Sequence, residues 1–154
     1  MDNEAFRRTY HPINERFCPF EKSILTNNHC SCRRARRFCI AEREGINCNS
    51  DAAQARCLEL LELFRSQARF ALKTRDEQTA LPHAKAMRVQ VGGLRGLHAL
   101  VSPDMPVPGT IEDIDGIIEA ALDRYPTTLA TLPYQPIIRQ IAAYQGRKRS
   151  RRLR

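Results

Sequence analysis

Between Ser50 and Lys73, apolar residues recur every three or four positions: Cys57, Leu61, Phe64, Ala68 and Ala71, with Leu60 widening the stripe. That period predicts an amphipathic helix. Asn49 or Ser50 is placed to cap its start, and Asp51 puts a negative charge in the first turn, where the helix dipole favours it. A second stripe, Ile111, Ile114, Ile117, Ile118, Ala121 and Leu122, predicts another helix. Thr110 with Asp113 supplies a capping-box-like start, and Pro126 ends it. Pro133 and Pro136 flank a turn, after which Ile137, Ile138 and Ile141 open a last helix.

Nearer the start, Pro19 suits a first helical position, and Phe20, Ile24 and Leu25 line a short helix ending at Asn27-Asn28. Arg33 to Glu44 reads as a further helix closed by Gly45. One stretch has a different period. Met87, Val89 and Val91 alternate with Arg88 and Gln90, then meet Gly92-Gly93, so residues 86–101 predict a short β-hairpin. The expected fold is therefore mainly α: a small helical domain with an N-terminal cysteine-rich metal-binding segment and a short β-hairpin. Three regions are expected: residues 1–48, a helical body over 49–145, and a basic, disordered tail over 146–154.

Charge changes the picture less than its total suggests. The chain carries +8, but residues 147–154 hold six basic and no acidic side chains, which leaves the remainder at +2. The tail predicts non-specific attraction to an anionic partner such as nucleic acid. Aromatic residues make up 6% with no tryptophan, which argues against base stacking as the central activity. No apolar run approaches the ~20 residues that span a bilayer. The opening MDNEAFRRTYHPINERF has no apolar core, so no secretory signal is expected. A cytoplasmic or other reducing compartment follows, and it disfavours a disulfide framework.

Chemistry concentrates in the cysteines. Cys18, Cys30, Cys32, Cys39 and Cys48 fall within 31 residues and Cys57 lies just beyond, after which 97 residues contain none. Such crowding points to a shared soft-metal ligand, either an iron–sulfur cluster or zinc. No C-x-x-C knuckle of the usual zinc kind is present. Were residues 33–44 helical, Cys32 and Cys39 would lie about 10 Å apart along the axis, whereas two sulfurs on one zinc are under ~4 Å apart. A cubane tolerates wider ligands, because each cysteine binds its own iron. The expectation is an oxygen-sensitive [4Fe–4S] cluster on Cys18, Cys30, Cys39 and Cys48, with Cys32 as the alternate to Cys30 and zinc as the alternative metal.

Cys18 precedes a proline, as the last cysteine of bacterial ferredoxin runs does. Cys48 lies just before a helix start, and the RRARR run sets positive charge beside an anionic site. Cys57, on an apolar stripe, reads as a buried small hydrophobe. His29 could replace a thiolate but reads as a loop residue, and His11, His83 and His98 have no ligand-like neighbour. Asp113, Asp115 and Glu119 read as the solvated side of their helix. No nucleotide-binding glycine loop or nucleophilic triad is present. Two functions follow. One is an iron–sulfur protein in electron transfer, redox or iron sensing, or an accessory subunit with a protein redox partner. The other is a zinc-stapled nucleic-acid-binding or assembly protein. An enzyme with an open metal position is the weakest reading, since no base, nucleophile or substrate pocket can be named.

Overall fold

The computed structural model describes residues 15–27, 29–74 and 80–146. The tail at 147–154, His11 and Asn28 lie outside the described residues. Among the described residues the protein is mainly helical, with a two-stranded antiparallel hairpin. In chain order come α1 (Glu21–Asn27), β1 (Ala35–Ile40), β2 (Arg43–Cys48), α2 (Asp51–Gln67), α3 (Arg69–Leu72), α4 (His83–Met87), a π-helical turn (Arg88–Gly92), α5 (Gly93–Val101), α6 (Ile114–Arg124), a 3₁₀ turn (Leu129–Thr131) and α7 (Tyr134–Ala143).

The principal helix forms for the reasons its sequence offers. The Ser50 side chain caps α2 by accepting from the Ala53 N–H at 3.2 Å, and Ala53, Cys57, Leu60 and Phe64 face inward. The helix yields at Ala68 and resumes as the one-turn α3. Lys73 then closes it in the left-handed conformation. α6 starts later than the capping-box reading places it. Ile111 is drawn out of the helix to pair with the segment around Cys30: its N–H donates to His29 O at 2.8 Å, and its carbonyl accepts from Ser31 N–H at 2.9 Å. Asp113 takes the N-cap position instead. Pro136 sits within the first turn of α7, where a missing N–H breaks no intrahelical bond.

The hairpin is in the sequence at a different place from the one expected. Residues 86–101 are helical, running from α4 through the π-helical turn into α5. The alternation of Met87, Val89 and Val91 is real, and all three are buried. So are Leu94, Leu97 and Leu100 further on. The strand-like alternation is confined to the π-helical turn, where Arg88 and Gln90 separate the buried Met87, Val89 and Val91. The two polar residues in the alternation find partners. Gln90 Oε1 accepts from the Ser23 N–H and hydroxyl, and Arg88 Nε donates to Tyr144 O.

Gly92 and Gly96 are not turn residues. They form a groove for α7. A Cβ on Gly96 would lie 2.4 Å from Ile137 Cα, and one on Gly92 would lie 2.6 Å from Ile141 Cα. Backbone cannot yield as a side-chain tip can. Gly96→Ala is therefore expected to destabilise the protein by about 1–3 kcal/mol through overpacking, despite alanine's better helix propensity. Urea denaturation checks this, and a stability equal to or above that of the parent would contradict the close approach.

The real hairpin occupies residues 35–48, where a helix over 33–44 was expected. Ala35 pairs with Cys48 and Ile40 with Arg43, in continuous register. Ala41, in the two-residue turn, takes a positive φ of 56°, and Gly45 lies within β2 opposite Phe38 rather than capping a helix. Extended backbone at residues 16–18 adds to the other edge of β2. Cys18 N–H donates to Ile46 O at 2.9 Å, and Cys48 N–H donates to Arg16 O at 2.6 Å. Pairing on both edges satisfies β2's backbone groups, which an isolated helix here could not bring to the same partners.

Candidate thiolate site

Four cysteines from four separate stretches line one pocket: Cys18, Cys32, Cys48 and Cys57, joined by Phe20, Arg34, Ala35, Ala53, Ile114 and Asp115. Each is placed by a local element. Cys18 ends the extended stretch on the edge of β2, and its carbonyl accepts from Glu21 N–H to start α1. Cys48 ends β2 itself. Cys32 sits in the turn that opens β1, where its carbonyl accepts from Ala35 N–H at 3.1 Å. Cys57 lies one turn along α2 from Ala53, so both face the pocket.

Two of the four expected ligands, Cys18 and Cys48, and the alternate Cys32 are thus brought together. Cys30 and Cys39 are not in this pocket. Cys30 is buried against the Ile111 bridge, where it faces Ser23 and Arg95. Cys39 is exposed on β1, opposite Glu44. It lies four residues from Ala35, roughly 13 Å along an extended strand. The helix over 33–44, whose Cys32–Cys39 spacing argued for a cluster over zinc, is absent. Cys57 is buried as expected, but it is buried among thiols.

Burial in the pocket disfavours the thiolate forms of Cys18, Cys32 and Cys57. Burial pushes the Cys18 thiol up to about 12, and neighbouring Cys57, Cys32 and Cys48 push it in the same direction, against a backbone hydrogen bond from Phe20. Burial likewise pushes Cys57 up to about 12, with Cys32 and Cys48 adding to it. Cys32 is raised by burial as well, although the N–H groups of Arg34 and Asp115 donate to its sulfur and oppose the shift. These donors come from the turn before β1 and from the first turn of α6. They are groups that would stabilise a metal-bound thiolate.

The sign of the resulting pH dependence is definite. Cys18 and Cys57 have folded values above their ordinary 9.0. Their contribution to the stability of the metal-free protein is fully present below pH 9 and is lost as pH rises toward 12. Denaturant midpoints of the metal-free protein should therefore fall from pH 9 to pH 10.5. A flat profile over that range would contradict the burial of these thiols.

Asp115 was missed as a site residue. It is 1% exposed and lies on the same side of α6 as Ile118, three residues on, so its helical position did carry a signal. Arg33 Nη2 donates to Oδ2 at 2.6 Å, Arg34 Nε lies 2.9 Å from the same oxygen, and Arg56 Nη2 bonds Oδ1. Burial pushes the carboxyl up, but hydrogen bonds from Arg33 and the adjacent guanidinium charges of Arg34 and Arg56 outweigh it and hold the group below the usual carboxylate range. Arg33, Arg34 and Arg56 thus converge on one buried carboxylate beside the thiols. Asp113 and Glu119 sit at the outer side of this network, both against Arg33.

Among the described residues, no three His, Cys, Asp or Glu side chains are grouped closely enough to hold a single metal ion as they stand. No helix among them is long and apolar enough to cross a membrane. Comparison of the chain with protein-family models, with curated proteins and with solved structures gives no match.

Proposed function

We propose that this is a small iron–sulfur protein whose cluster, [4Fe–4S] by ligand number and spread, is held by Cys18, Cys32, Cys48 and Cys57. It acts in electron transfer, in redox or iron sensing, or as the accessory subunit of a redox complex. The observation that carries this reading is the convergence of four thiols, from residues 39 positions apart in the chain, on one pocket. The chain lacks the C-x-x-C knuckles usual for tetrahedral zinc, which favours a cubane, in which each cysteine takes its own iron. Backbone N–H groups directed at Cys18 and Cys32 and the arginines around Asp115 suit an anionic cluster. A protein redox partner belongs to this reading, and the basic tail at 147–154 would add electrostatic attraction to an acidic or nucleic-acid surface.

Anaerobic purification followed by iron, acid-labile sulfide and zinc analysis tests the proposal. Iron and sulfide in equal amounts, with a brown colour bleached by air, are expected. Stoichiometric zinc without sulfide would replace this reading with the zinc-stapled binding module.

A further inference from the structure

We propose that the Arg34 side chain donates its Nε–H to the cluster and so sets its reduction potential. This inference rests on the cluster reading above and adds a specific residue to it. Arg34 lines the pocket together with all four thiols. Its Nε is buried and has no hydrogen-bond partner. The nearby Asp115 Oδ2, at 2.9 Å, supplies charge attraction without lying where the N–H points. A buried N–H without an acceptor costs about 1–3 kcal/mol. A fold that keeps one at the wall of a thiol-lined pocket implies an acceptor in that pocket, and cluster sulfur is an acceptor of the right charge.

The residue is held firmly for this role. Its carbonyl accepts from Asn49 N–H at 3.0 Å. Asp115 fixes the guanidinium from the other side. Arg56 also has a buried Nε without a hydrogen-bond partner and stands next to Cys57, but it does not line the pocket. Arg33 differs from both. Its Nε and Nη2 are committed to Asp115 and Glu119, and its side chain is half exposed. An oxidised four-thiolate cubane is a dianion and gains a further negative charge on reduction. A cationic donor therefore stabilises the reduced state more and raises the potential.

The test uses the anaerobically purified full chain. Arg34→Gln should keep its iron and sulfide while its midpoint potential moves to a more negative value, and Arg33→Gln should move it little. Arg34→Lys, which keeps the charge, should recover part of the shift. A second measurement does not depend on any variant folding. Wild-type protein carrying ¹⁵N in the arginine guanidino groups, reduced and examined by pulsed electron paramagnetic resonance, should show a nitrogen coupling to the cluster. That coupling should survive in Arg33→Gln and vanish in Arg34→Lys. No guanidino coupling in the wild type, or an unchanged potential in Arg34→Gln with its cluster intact, overturns the role of Arg34 alone. Absence of iron and sulfide from the wild type overturns the cluster reading and this inference with it.

Discussion

Cys32→Ser and Cys57→Ser should each abolish the visible absorbance and the acid-labile sulfide of the purified protein, while Cys39→Ser should leave both unchanged. Cys39 is exposed on a strand and separated from the pocket. The other two cysteines line the pocket from the turn before β1 and from α2. Cys30→Ala should also retain the cluster. It will cost stability, since Cys30 is 3% exposed and packs in the core. The effect of the ligand variants extends to folding, because metal binding to sites formed only in the folded chain supplies folding free energy. Residues 15–57 bury few large side chains of their own, Phe20, Ile24 and Ile46 among them. Ordering each residue costs about 1–2 kcal/mol. Limited proteolysis of Cys32→Ser should therefore cut first before Ser50. Retention of the cluster in both Cys32→Ser and Cys57→Ser would remove the proposed ligand set.

Asp115→Asn should destabilise the protein by about 3 kcal/mol, near the low end of what breaking a buried ion pair costs. The carboxylate is the common counter-ion of Arg33, Arg34 and Arg56. Without its charge Arg34 and Arg56 lose this counter-ion, and Arg33 keeps only Asp113 and Glu119. The cost stays near the low end because the arginine side chains keep 24–49% of their exposure and can rehydrate. Glu119→Gln makes the comparison, since its side chain is 44% exposed and exposed pairs contribute about 0–1 kcal/mol. Equal urea midpoints for the two variants would show that the Asp115 network is not a stabilising element. Acid should act through the same group. Its folded value is depressed, so its stabilisation is present above the ordinary carboxylate range and is lost as pH falls through the folded value.

Much of the helical frame was legible in the sequence because those helices have one wet face. The α2 stripe, its Ser50 cap, the Ile114–Ile118 face of α6 and the Ile137–Ile141 face of α7 each follow from a 3.6-residue period, and all are found. The helix over 88–101 was misread because Met87, Val89 and Val91 alternate with Arg88 and Gln90 across the π-helical turn, and the glycines that admit α7 imitated a turn. The hairpin at 35–48 was misread for a different reason. Its arginine-rich strand carries little alternation, and its stability comes from pairing β2 on both edges, with residues 16–18 distant in the chain.

The composition of the site can be read from the chain, whereas its membership cannot. Six cysteines followed by 97 residues with none is a property of the sequence, and it points to thiolate chemistry whatever the fold. Which thiols meet depends on direction in space. β1 carries Cys39 away from the pocket, and the Ile111 bridge draws Cys30 into the core. One turn of α2 brings Cys57 to Ala53's side, and the start of α6 delivers Asp115 to the arginines. Ligand spacing along a chain constrains a site only once the backbone between the ligands is known, because seven residues span about 10 Å as helix and about 23 Å as strand.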